Sequence, residues 1–282
     1  MYFEQWEKSQ QKKRWQIILG VFAIVIFGAV IFQIHSVKAD ENKNNAAYEA
    51  KMPDVLVLNY HKVADIHHSL AIRPADFEEQ LLYLKKAGYQ TITPAELAAN
   101  IEDGTPLPEK PLLITFDDGY EDNYQNAYPL LKKYGFKATI FVVTGFMDKN
   151  PQYLTWKQAK ELEANGISIE SHTVTHRSMT ELNYEQLKKE LVDSKKDIED
   201  HLQKKVLFIA YPTGTYNLQI AEMVKEAGYT GAFTIKYGNV DSGSNIYAME
   251  RMPVFQTEHT YKSFRERLQY LPSFTDLSWK KN

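Results

Sequence analysis

Leu112-Leu113-Ile114-Thr115-Phe116-Asp117-Asp118-Gly119-Tyr120 joins an apolar run of strand length to two adjacent carboxylates and a glycine. On both sides of it the chain alternates between two kinds of segment. Short apolar runs predict strands over 55–60, 89–92, 111–116, 137–143, 167–170, 205–210 and 230–235. Amphipathic stretches near 75–87, 94–101, 123–134, 155–165, 183–202 and 217–227 predict helices between them. Several close on glycine, at Gly88, Gly135, Gly166 and Gly228, as a C-terminal cap does. This alternation predicts an α/β fold: a parallel sheet with helices outside, as a barrel or a doubly wound sheet. About seven strand–helix units favour an incomplete barrel.

The polar candidates fall just after predicted strands, at Tyr60-His61, Asp117-Asp118, His172 and Tyr211-Pro212. Loops at the C-terminal ends of barrel strands converge, so these four places would share one face. Two adjacent residues inside a strand point to opposite faces, but a turn at Gly119 would let both carboxylates face one pocket. Asp-Asp-Gly also builds helix caps and Asx-turns, which is the alternative for this segment. His172 and His176 stand four apart, so one helical turn or a tight loop would bring both rings to one side. Two unrelated surface histidines are the alternative here. Together the segments offer a carboxylate and two imidazoles for a divalent ion, with one carboxylate left as a base. That is equipment for hydrolysis.

The chain has 282 residues, enough for one sizeable α/β domain and an attachment segment. A net charge of −3 gives no basic field for nucleic acid. The absence of cysteine excludes disulfides and thiolate ligands, so a metal here would take oxygen and nitrogen donors. Near the N-terminus, Lys12, Lys13 and Arg14 precede an apolar run over 15–35, long enough for the roughly 20 residues of a membrane-spanning helix. Residues 1–14 are then expected in the cytoplasm, and residues 36–52 form a polar linker. A domain over 53–282 follows, outside the membrane. Val37-Lys38-Ala39 also fits a signal-peptidase site, so the alternative is a protein secreted after cleavage there.

Thr115-Phe116-Asp117-Asp118-Gly119 and His172-Thr173-Val174-Thr175-His176 resemble the first two motifs of the polysaccharide deacetylases, the NodB-homology carbohydrate esterases of family 4. The resemblance covers essentially residues 53–271. It implies a distorted (β/α)7 barrel and a metal-dependent deacetylase. Asp118, His172 and His176 would hold the metal, most often zinc, and Asp117 would be the general base. The third motif, normally an Arg followed by Pro-Tyr-Gly, departs from the pattern: Tyr211-Pro212-Thr213-Gly214 has Thr for Tyr and no arginine before it. A backbone N–H at Thr213 could still be an oxyanion donor, since that role needs no side chain. The usual late Leu-x-His motif is missing, and His259 reads as surface, as do His67 and His68.

Val55-Leu56-Val57-Leu58-Asn59-Tyr60-His61 resembles the first strand of the poly-β-1,6-N-acetylglucosamine deacetylase branch, where the acid histidine comes from the start of the domain. That resemblance makes His61 the general acid; a buried structural histidine is the alternative. For the missing arginine we assign Arg251, in Glu250-Arg251-Met252-Pro253-Val254, as the partner that keeps the catalytic aspartate ionised. A surface salt bridge is the alternative for it. The expected activity is N-deacetylation of an extracellular N-acetylglucosamine polymer, by a monomer attached to the membrane. Peptidoglycan, an O-acetylated xylan, or a catalytically silent glycan-binding role are the alternatives. Tyr120, Tyr124, Tyr153, Trp156 and Tyr216 are the candidate sugar-stacking aromatics.

Overall fold

Alternation along one strand sets the architecture. The computed structural model describes residues 54–241 and 243–269. In β5 (Pro111–Phe116), Leu113 and Thr115 face inward and Leu112, Ile114 and Phe116 face out, yet all are buried because helices cover the outer face. Around it run β1 (Leu56–Tyr60), β2 (Lys62–Val63), β3 (Ala71–Ile72), β4 (Gln90–Thr91), β6 (Ala138–Val142), β7 (Ile167–Ser171), β8 (Phe208–Ala210), β9 (Gly231–Phe233) and β10 (Met252–Pro253). The main sheet has the order β10-β1-β5-β6-β7-β8-β9, with β4 pairing β5 off that path, and every pairing is parallel. At the far edge, Thr234 N and Met249 N bond across to Met249 O and Ala232 O, while Leu58 and Asn59 pair with Met252 and Pro253. The segment Met249–Pro253 therefore bridges the two edges, and the sheet curls into a partial barrel.

The curl divides the core in two. Val57, Leu113, Phe141, Phe208, Phe233 and Met249 pack inside. Outside, Leu58, Ile114 and Ile140 meet the helices α1 (Pro74–Lys86), α2 (Pro94–Asp103), α3 (Tyr128–Tyr134), α4 (Trp156–Ala164), α5 (Tyr184–Leu202), α6 (Leu218–Glu226) and α7 (Thr260–Gln269). Thr93, Thr155 and Asn183 cap α2, α4 and α5 in reciprocal capping boxes. Gly88, Gly135, Gly166 and Gly228 all hold positive φ between 73° and 83° past helix ends, as expected for caps.

The seven predicted strands and six predicted helices all form, with ends shifted by a few residues. The helix expected over 123–134 begins as a π-helical stretch, Asn123–Ala127, before α3. Strands β2, β3 and β10 and helix α7 lie beyond the predicted set. The apolar run over 15–35 falls outside the described residues, as do the linker and the end of the chain. Among the described residues no helix is long and apolar enough to cross a membrane.

Candidate active site

At the C-terminal end of β5 the ladder with β1 continues one residue past the strand, where Asp117 N donates to Tyr60 O at 2.9 Å. Asp117 thereby keeps the inward parity of Leu113 and Thr115. Asp118 and Gly119 then both take left-handed backbone, with φ of 74° and 76°. Only glycine fits at the second position, because a Cβ there would lie 2.9 Å from the Val142 side chain. The turn separates the two carboxylates. Asp117 faces the barrel interior, and Asp118 faces the histidines.

Asp117 is bound by three side-chain donors. Arg251 Nη1 donates to Oδ1 at 2.7 Å, Arg251 Nη2 donates to Oδ2 at 2.8 Å, and Asn59 Nδ2 donates to Oδ2 at 2.9 Å. Arg251 is fully buried, held by Nε to Thr234 O at 2.8 Å and by Nη1 to Thr115 Oγ1 at 3.2 Å. The surface salt bridge considered for Arg251 is thus excluded, and the arginine missing before Tyr211 arrives from the segment that bridges the barrel edges. Burial by itself would raise the Asp117 carboxyl. The Arg251 guanidinium, aided by His172 and His61, overrides it and lowers the carboxyl to about 2.

Asp118 Oδ1 lies 3.5 Å from His172 Nε2 and 3.1 Å from His176 Nε2. Its carboxyl is held far below the ordinary range: burial opposes ionisation, and the two histidines outweigh it. The ligand atoms of Asp118, His172 and His176 all fall within 4.8 Å of one another. His172 sits at the end of β7 and is buried, with Nδ1 2.8 Å from Ala210 O of β8. Burial opposes its protonation, yet Asp118 and Asp117 raise its pKa. Such a raised imidazole signals a negative potential where three donor atoms converge, and one carboxylate with two imidazoles is a donor set suited to zinc or a similar divalent ion. His176 is reached through a loop rather than a helical turn, with left-handed backbone at Thr173 (φ 68°) and His176 (φ 59°). Its side chain is 34% exposed.

His61 follows β1 directly. Asn123 Nδ2 holds its carbonyl at 2.8 Å, and its Nδ1 is buried without a hydrogen-bond partner among the described residues. Burial lowers its pKa, partly offset by Asp117 and Asp118. After β8, Tyr211 and Pro212 are buried, and Tyr211 donates its hydroxyl to Tyr247 O at 2.9 Å. Their side chains shape the loop rather than line it. Thr213 is exposed in left-handed backbone at φ 59°.

The aromatic candidates separate. Tyr120 stacks on Tyr153 at 5.0 Å, with Lys62 Nζ 3.4 Å over the Tyr120 ring, and burial and then Asp118 raise the Tyr120 hydroxyl. These two rings border the Asp118 side of the site. Tyr216 stacks on Tyr211 at the rim beyond Thr213. Tyr124 is tied to Glu161, and Trp156 stacks on His201 at 4.0 Å, so both serve helix packing. His67, His68 and His259 are exposed, as expected.

Two partners escaped the sequence reading. Asn59 lies on the inward face of β1 with Val57, so an amide on that parity was the signal for an interior polar partner. Glu190 of α5 binds the loop between the two histidines. It lies on the helix stripe of Leu187, Leu191 and Ser194, where a buried carboxylate must have partners.

Residues 104–232 match the sequence pattern of the family described as polysaccharide deacetylase. The chain is 40% identical over 205 residues to the YxkH protein of Bacillus subtilis (strain 168), itself named for polysaccharide deacetylation, covering 73% of this chain and 72% of that one. It is 27% identical over 269 residues to a poly-beta-1,6-N-acetyl-D-glucosamine N-deacetylase of Staphylococcus aureus (strain N315), covering 86% of this chain and 92% of that one. Among solved structures, the Streptococcus pyogenes deacetylase PplD in complex with acetate superposes with a TM-score of 0.72 at 28% identity, covering 76% of this chain and 97% of that one.

Proposed function

Because the chain belongs to the polysaccharide deacetylase family, we propose that it removes N-acetyl groups from a β-1,6-linked N-acetylglucosamine polymer outside the cell. The observation that carries the mechanism is the buried pair of Asp117 with Arg251, beside the cluster of Asp118, His172 and His176. The choice of polymer rests on likeness to the Staphylococcus aureus enzyme over most of both chains and on His61 at the end of β1. The apolar run over 15–35 supports placement outside the membrane. Deacetylation there would uncover amines and make the polymer cationic.

Asp117 receives the proton of the attacking water. Its Oδ2 already accepts two hydrogen bonds, from Arg251 and Asn59, whereas Oδ1 accepts one among the side chains, so Oδ1 has the lone pair for that proton. The ion pair keeps this carboxylate charged at any physiological pH, at the expense of basicity. What a divalent ion on Asp118, His172 and His176 supplies when bound is Lewis acidity toward the acetyl carbonyl and the water, which a base this weak requires. The backbone N–H of Thr213 is the oxyanion donor in this reading, a role worth on the order of 10²–10³ in rate for one donor. His61 gives a proton to the leaving nitrogen, and its lowered pKa makes it the stronger acid. The Tyr120–Tyr153 pair, with Lys62 over the Tyr120 ring, forms the aromatic wall beside the sugar.

Acetate release by the metal-loaded full-length protein from a β-1,6-linked N-acetylglucosamine oligomer and from peptidoglycan, assayed in parallel, tests the substrate. Release from the oligomer alone, lost in Asp117→Asn, is the expected result. Release from peptidoglycan alone would keep the mechanism and overturn the polymer, and release from neither, with acetate freed from acetylated xylan in a third assay, would make it an O-esterase.

A further inference from the structure

The two histidines of the cluster are held by different means. His172 is buried in strand-end backbone, and its second ring nitrogen is fixed by Ala210 O at 2.8 Å. Histidines that ligate metals almost always have such a partner on the other nitrogen. His176 has none within the protein among the described residues: its ring touches Asp118 alone by polar contact, and its side chain is one-third exposed. It also sits on backbone that non-glycine residues avoid, directly after the Thr173–Thr175 bend.

One side chain from α5 ties that bend at three points. Glu190 Oε2 accepts from Val174 N at 2.8 Å and Thr175 N at 2.9 Å, and Oε1 accepts from Thr175 Oγ1 at 2.6 Å. Glu190 is 8% exposed, so these bonds work in a poorly hydrated place. From the other side, Thr144 N and Gly145 N donate to Thr173 O and Val174 O, and a Cβ at Gly145 would come within 2.3 Å of Val174 O. Thr173 Oγ1 accepts from His176 N at 3.2 Å. The loop is thus pressed between the Gly145 backbone and the Glu190 carboxylate, with His176 at its exit.

We infer that Glu190 is a positioning residue for the metal site, holding His176 through the Val174–Thr175 backbone in place of a direct partner on its ring. This inference rests on the reading of Asp118, His172 and His176 as metal ligands. A helix-to-loop staple that served the fold alone would lower stability and leave metal affinity untouched, so the two roles separate by measurement.

Co(II) titrated into the metal-free full-length protein, followed by its visible absorption, reads the affinity and the ligand geometry together. Melting of the same proteins in chelator reads the fold without the ion. Glu190→Ala is expected to weaken Co(II) binding by roughly 10–100-fold with an altered absorption band. Glu190→Gln keeps an acceptor oxygen and should recover part of the affinity, and Thr175→Val should show a smaller loss than Glu190→Ala. If Glu190→Ala does not fold, the Gln and Val variants carry the test. Co(II) affinity within about twofold of the parent in the folded variants, with only the melting temperature lowered, would overturn the inference while the metal site stands. A parent protein that binds no Co(II) would overturn both.

Discussion

The half of the site around Asp117 and the half around Asp118, His172 and His176 are built on different physical terms. Asn59, Thr115, Asp117 and Arg251 all lie on strands or at strand ends, all are at most 2% exposed, and their polar atoms bind one another. Their positions follow from strand parity and parallel register. The second half begins in the same way at His172 but ends in a loop, where His176 is half-buried and the backbone is left-handed at two non-glycine residues. Rigidity there comes from side chains, chiefly Glu190, rather than from the sheet. One half is held by the sheet and the core. The other is held by hydrogen bonds from α5 and from the Thr144–Gly145 backbone.

Removing the ion should break the comparison most sharply. Chelation is expected to abolish acetate release and to leave the Asp117–Arg251 half folded, checked by activity assay and by circular dichroism on the same sample. Next in size is Asp117→Asn, which keeps the shape of the side chain but removes the base. It should lower kcat by about 10²–10⁴ with Co(II) affinity close to the parent's, since Asp117 is not among the three ligands. His61 should govern the alkaline side of the pH profile. As a proton donor whose pKa burial lowers below 6.5, it loses its proton as pH rises through that value, so kcat/KM should fall there, and His61→Ala should flatten that limb.

The smallest effect belongs to stability. The Asp117 carboxyl moves from 3.8 to about 2 on folding, so its ionised form stabilises the fold above 3.8 and that contribution is lost as pH falls toward 2. The difference corresponds to about 2 kcal/mol. Denaturant unfolding of the parent between pH 5 and 2 should lose this increment relative to Asp117→Asn. Equal pH dependence in the two proteins would mean that the pair does not hold the carboxylate ionised.

Much of this contrast could be read from the chain before its structure. The seven strands followed from short apolar runs and the helices from amphipathic period and glycine caps, because local pattern and burial agree in β1 and in β5 to β9. Asp117, Asp118, His172 and His176 were legible from their motifs. Arg251 was legible only as a functional demand: nothing in Glu250-Arg251-Met252-Pro253 foretells a two-residue strand, and Pro253 argues against one. The bridge it forms depends on Met249, Leu58 and Asn59 meeting across a long separation in sequence. The aromatic residues could not be sorted, since stacking on His201 or on Tyr211 is a tertiary fact. The silent-binding alternative drew its support from the arginine missing before Tyr211 and from Thr213, and the buried Arg251 on Asp117 removes the first of the two.

The central claim is that an arginine from the end of the domain keeps the catalytic aspartate charged and aimed. Steady-state acetate release by Arg251→Ala tests it most directly, with unfolding measured alongside, because an unpaired buried carboxylate costs about 3–5 kcal/mol. At a temperature where the variant remains folded, we expect kcat to fall by at least about 10² while KM changes little. A folded Arg251→Ala protein with the parent's kcat would contradict the account.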